Sequence, residues 1–245
     1  MRLLVFASRN RKELLRDPLN LAFGIGFPLV LLLLLSAIQR NVPVNLFKID
    51  QLAPGIAVFG LSFIALFSGT LIAKDRTTSF LMRLFASPLT GSDFILGYTL
   101  PVLPLAILQS AITFGAAFFL GLAVNVNVLI ALVVLIPAAV LFIAIGLLAG
   151  TVFTDKQVGA VCGAVLTNVA AWLSGTWFSL DLVGGAFKTI AYLLPFAHAV
   201  DATRAAIAGD YGAIFPTLWW VIGYAAATMG IAVIVFKRKM QSDAT

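Results

Sequence analysis

Long apolar runs divided by short polar connectors set the pattern of this chain. A helix needs about 20 predominantly apolar residues to cross the hydrocarbon of a bilayer. Six windows meet that requirement: 19–38, 53–73, 94–122, 128–153, 158–178 and 217–236. Only Ala123–Asn127 joins the third to the fourth, which predicts a tight helical hairpin. Thr154, Asp155, Lys156 and Gln157 alone join the fourth to the fifth. Pro101, Pro104 and Pro137 fall inside these runs, where a kink is tolerated if neighbours take up the freed carbonyls. The pattern predicts an all-α integral membrane fold with six transmembrane helices, forming one unit over residues 1–245.

Three segments outside the runs have their own periodicity. Residues 1–18 read as an amphipathic helix ended by Asp17-Pro18. Arg9, Lys12, Glu13 and Arg16 share one face, with Leu3, Leu4, Ala7, Leu14 and Leu15 roughly opposite and Arg11 spoiling the division. Such a helix is expected to lie flat on the membrane surface. In the loop 74–93, Thr77 to Phe85 can form a short helix that places Phe80, Leu81, Leu84 and Phe85 on one face and Arg83 off it. Pro88 stops that helix. Thr90, Gly91, Ser92 and Asp93 then turn, with Ser92 or Asp93 capping the next helix. The loop helix either rests on lipid headgroups or offers a partner a surface to grip. The segment 179–216 holds an apolar stretch, Thr189–Ala199, that is interrupted by Pro195 and too short to cross. It reads as re-entrant or interfacial helices, covered by protein or by a water-filled cavity.

Charge orients this scheme. Only 11% of the 245 residues are charged, against about 25% in soluble domains. The net charge of +6 is the basic excess of membrane-protein loops, not a nucleic-acid footprint. With the N-terminus inside, 12 of the 16 Lys and Arg fall in the inner segments 1–18, 74–93, 154–157 and 237–245. This bias predicts both termini on the cytoplasmic side of the cell membrane. The basic start is not followed by a short apolar core and a small-residue cleavage site, so no cleavable leader is expected. The single cysteine, Cys162, lies in an apolar run and reads as a packing residue.

The chemical inventory is sparse. One histidine, one cysteine and no acidic cluster leave no set of residues for a zinc or calcium site. No Gly-rich loop ends in Gly-Lys-Ser/Thr, so the chain has no phosphate loop of its own. The six runs contain no Asp, Glu, Lys or Arg, which weakens an ion-coupled mechanism and favours an outside energy source. Thr167, Asn168 and Ser174 in the fifth run, with Phe67, Ser68 and Thr70 in the second, can line a pathway or can bond across helices as packing contacts. His198, Asp201 and Arg204 follow one another at i, i+3 spacing, as an outer gate or as a locally satisfied cluster.

The order of these parts resembles the membrane subunit of the type-2 ATP-binding-cassette exporters. KDRTTSFLMRLFASPLTGSDFILGYTL, beginning at Lys74, is similar to that family's second cytoplasmic segment, and YLLPFAHAVDATRAAIAG, beginning at Tyr192, to its outer segment. Relatives often carry Gly-Thr-Leu-Glu where this chain reads Thr78-Ser79-Phe80-Leu81, with no glutamate. The resemblance implies a permease subunit without a catalytic site, with ATP and Mg bound on a separate cytoplasmic ATPase. A second permease copy or a homologous permease would complete the transporter. The loop helix would seat in the ATPase, with Phe80, Leu81, Leu84 and Phe85 as an apolar plug. Asp75, Arg76 and Arg83 would be polar contacts around it, Pro88 its stop, and the N-terminal helix a brace. Apolar walls would suit a hydrophobic or amphipathic substrate, such as a drug-like compound or lipid-linked molecule. An ion-coupled secondary transporter and a non-transporting membrane interaction protein are the alternatives.

Overall fold

A computed structural model describes residues 2–43, 46–77 and 90–242. Among them every regular element is a helix. Helix α1 is Arg2–Leu15. Helix α2 runs through Pro18–Leu21, a π-helical turn Ala22–Gly26, and Phe27–Asn41. Helices α3, α4 and α5 are Ile49–Thr77, Gly91–Phe119 and Val126–Val152. Helix α6 passes through Asp155–Ala160, a second π-helical turn Val161–Leu166, and Thr167–Leu173. The short helices α7 (Leu180–Val183), α8 (Gly185–Leu193) and α9 (Pro195–Ala208) follow, and α10 is Tyr211–Ser242.

Among the described residues, five helices are long and apolar enough to cross a membrane: Ala22–Asn41, Ile49–Thr77, Gly91–Phe119, Val126–Val152 and Tyr211–Lys239. The expected fifth crossing, 158–178, is the one that does not qualify. Its helix begins with the polar residues Asp155, Lys156 and Gln157, carries Asn168, and ends at Leu173 rather than continuing. Multiple apolar crossings make this a multi-pass membrane protein.

Helix α3 is the axis of the bundle. Its most apolar stretch is 83% buried, against 22% for the first crossing helix and 17% for the last. Close approach to α5 explains much of this. A Cβ added to Gly146 would lie 2.0 Å from the Ala65 carbonyl oxygen, and one on Gly150 would lie 2.2 Å from that of Gly69. Ser68 Oγ donates to the carbonyls of Ala65 (3.0 Å) and Ile143 (3.2 Å), spanning the same crossing. Small residues that let backbones touch are a common route to helix association in lipid.

The start of α4 differs in detail from the sequence reading. Thr90, not Ser92 or Asp93, is the N-cap. Its hydroxyl accepts from the Asp93 amide at 3.2 Å, and Asp93 takes the Thr90 amide at 2.8 Å, a reciprocal capping box. The break expected near Pro195 is present: α8 ends at Leu193, and Pro195 opens α9, where its missing N–H costs nothing.

Candidate functional site

Helix α1 does more than rest beside the bundle. Its buried residues are Phe6, Ala7 and Asn10, which recur at the helical three-to-four spacing. Leu4, Val5 and Leu15, two of which were expected on the apolar side, are 66%, 67% and 63% exposed. Phe6 packs edge-on against Phe94 (5.7 Å between ring centres) and Tyr98 (5.0 Å) on α4. Asn10 donates to the Gly97 carbonyl at 3.1 Å. The absence of a side chain on Gly97 permits this approach, since a Cβ there would sit 2.2 Å from the Phe6 ring.

The polar core of this contact is an ion pair. Arg9 donates to Asp75 at 2.6 Å, and Tyr98 donates to the same carboxylate oxygen at 2.9 Å. Asp75 is 3% exposed. Arg76, the next residue, donates instead to the carbonyls of Gly150 (3.0 Å) and Phe153 (3.3 Å) at the end of α5. Lys74 lies 3.5 Å from Asp17. Lys12, Glu13 and Arg16 remain exposed. Both flanks of the segment 78–89 are therefore tied to one helix: Asp75 before it, and Phe94, Gly97 and Tyr98 after it. Phe80, Leu81, Arg83, Leu84, Phe85 and Pro88 lie outside the described residues. Sequence reasoning missed Phe6, Asn10 and Tyr98, although the spacing of Phe6, Ala7 and Asn10 carried the signal.

The pathway residues separate into distinct settings. Phe67 and Ser68 are buried. Thr70 and Thr167 are half-buried, bonded back to Phe67 O (3.2 Å) and Cys162 O (2.9 Å). Ser174 is buried, 2.7 Å from Thr176, which donates to the Gly55 carbonyl at 3.2 Å. Asn168 is exposed. With Thr167, Phe27, Leu31, Phe59 and Trp172 it lines an open groove of about 410 Å³ between α2 and α6.

At the opposite end of the bundle, the three outer residues do not form one cluster of mutual contacts. His198 is buried, bonds the Tyr192 carbonyl at 2.9 Å and stacks on Trp220 at 5.3 Å. Asp201 accepts from the Tyr192 hydroxyl at 2.8 Å. Burial and that carboxylate push the Tyr192 phenol up to about 12. Arg204 reaches two other elements, donating to Gln51 O (3.1 Å) and Gly175 O (2.8 Å). Burial draws the Arg204 guanidinium below its usual value. Tyr192 and Trp220 escaped sequence reasoning because nothing in their spacing links them to His198.

Two polar ends fastened to a bundle of apolar crossings define a polytopic membrane protein. The profile of the family described as "ABC-2 type transporter" matches residues 1–208, and the chain belongs to that family. It is also similar to a protein from Porphyra purpurea named "Putative transport permease ycf38", 35% identical over 130 residues, covering 49% of this chain and 45% of that protein. A protein of the same name from Pyropia yezoensis is 33% identical over 112 residues, covering 43% of this chain and 38% of its own length. The chain thus matches less than half the length of either relative.

Proposed function

We propose that this chain is the membrane-spanning permease subunit of an ATP-driven exporter in the cytoplasmic membrane, with both termini in the cytoplasm. ATP and Mg are bound by a separate ABC ATPase, and a second permease, identical or homologous, completes the pathway. The observation that carries this reading, beside family membership, is the junction of Arg9, Asp75 and Tyr98. It couples α1 to both helices that flank the 78–89 loop. A push on that segment from an ATPase would reach α3, the axis of the bundle, and α1 through Asp75. In this reading Phe80, Leu81, Leu84 and Phe85 form the plug, Arg83 its polar neighbour, and Arg76 the link to α5.

Helix α6 completes six crossings. Its parts contain 6, 6 and 7 residues; at 1.5 Å per residue they span about 28 Å, close to the hydrocarbon thickness of about 30 Å. Helices α8 and α9 form the outer re-entrant pair, with His198, Asp201 and Arg204 at the outer gate. Pairing two permeases through α2 and α6 encloses the groove of Thr167 and Asn168. Its apolar walls suit a hydrophobic or amphipathic substrate.

The test is flux in proteoliposomes holding the permease and its ATPase. Movement of an amphipathic dye that requires ATP and persists when ion gradients are collapsed is the expected result. Movement driven by an ion gradient without ATPase would replace this reading with a secondary transporter. Normal flux after Leu84→Asp would remove the plug.

A further inference from the structure

At the end of the bundle that holds α1, a cleft of about 240 Å³ opens between α1, the start of α2 and the end of α3. It is smaller than the roughly 300–1,000 Å³ of sites for drug-sized ligands. Leu14, Leu21, Phe67 and Leu71 give it an apolar floor, and Glu13, Arg16, Asp17 and Lys74 a charged rim. Two cations and two anions therefore face one opening.

Two of the rim charges carry no ion pair among the described residues, and the other two share a weak one. Glu13 and Arg16 are exposed, one helical turn apart, and have no ion-pair partner among the described residues. Lys74 meets Asp17 at 3.5 Å, with its side chain 55% exposed. Exposed pairs of that kind are worth little and exchange readily. Asp17 is itself held in place by Asn20, whose side-chain amide donates to it at 2.8 Å.

We propose that this cleft is a binding site for a phospholipid whose headgroup pairs a phosphate with a primary ammonium, drawn from the adjoining leaflet. Arg16 and Lys74 take the phosphate, Glu13 and Asp17 take the ammonium N–H groups, and the acyl chains leave over Phe67 and Leu71. The balanced rim is what selects this class. An anionic headgroup would meet two carboxylates, and a quaternary ammonium has no N–H to donate to them. A lipid seated here would tie α1 to the start of α2 and the end of α3. The proposal uses the reading of the chain as membrane-embedded but not that of ATP-driven export.

The test is native mass spectrometry of the detergent-purified protein with phosphatidylethanolamine, phosphatidylglycerol and phosphatidylcholine of identical acyl chains. Phosphatidylethanolamine should bind in preference to both others. The double variant Glu13→Gln/Arg16→Gln, which alters only exposed side chains, should weaken it about fivefold, the effect of losing two partly screened ion pairs. Thr70→Trp, which fills the cleft, should weaken it as well. Preference for phosphatidylglycerol, equal binding of all three, or unchanged selectivity in both variants would overturn the proposal. Because no ATPase is present, these outcomes leave the exporter reading untouched.

Discussion

The two ends of the bundle hold their short helices by different means. At the end near the 78–89 loop, α1 is fastened by a charge against a charge: Arg9 on Asp75, with Tyr98 on the same carboxylate. At the far end, α9 is fastened by a charge against backbone: Arg204 on the carbonyls of Gln51 and Gly175. The first contact fails asymmetrically, because losing the cation leaves an anion in a buried place. The second fails less severely, since it leaves only neutral carbonyls without a donor, Gln51 exposed and Gly175 buried. Breaking the first contact strands a charge, whereas breaking the second strands only neutral acceptors.

Four single substitutions, one of them also combined with a fifth, rank this difference, read as thermal unfolding of the purified protein. Arg9→Ala should have the largest effect, about 3 kcal/mol, the lower part of the range for breaking a buried ion pair because the Arg9 side chain is 33% exposed. Adding Asp75→Asn to it should recover part of the loss, because the neutral amide can still accept from Tyr98. No recovery would mean that Asp75 is not held as a carboxylate by Arg9. Arg204→Ala should lower stability by about 2 kcal/mol, the loss of hydrogen bonds from a charged donor. If it costs more than Arg9→Ala, the contrast between the ends is reversed. Tyr192→Phe removes one hydroxyl from Asp201 and should cost about 1 kcal/mol.

The smallest effect belongs to Lys188→Gln. Lys188 pairs with the fully exposed Asp181 and holds its carboxyl below the usual carboxylate range. A depressed carboxyl stabilises the fold above that range and loses its contribution as pH falls through it. Solvent screening should leave no resolvable change between the variant and the parent at neutral pH and physiological salt.

The same contrast explains what could be read from the sequence. The crossings at 53–73, 94–122, 128–153 and 217–236 were legible because apolar length alone specifies them. The run 158–178 predicted a crossing that its helix does not match, since that helix starts with Asp155, Lys156 and Gln157, carries Asn168 and stops at Leu173. The N-terminal helix was legible as a helix, but its faces were not. Arg9 belongs by pattern to the solvent side, and its partner Asp75 lies 66 residues away; no local periodicity reports a pair at that separation. His198, Asp201 and Arg204 were legible as neighbours on one face. Their partners Tyr192, Trp220, Gln51 and Gly175 come from four other places in the chain and depend on how α9 docks. Sequence spacing identifies residues that share a helix face, while a clasp between helices is decided by packing.

The most direct test of the account is co-purification. The protein, carrying an affinity tag at the end of α10, would be drawn from its native membranes in mild detergent, alongside Leu84→Asp and Arg9→Ala. A nucleotide-binding partner in stoichiometric amount is expected, lost with Leu84→Asp because a charge enters an apolar groove, and reduced with Arg9→Ala because the segment 78–89 loses its brace. A preparation of the intact protein without any such partner would contradict the ATP-driven reading. A partner retained by both variants would place the drive somewhere other than the 78–89 loop.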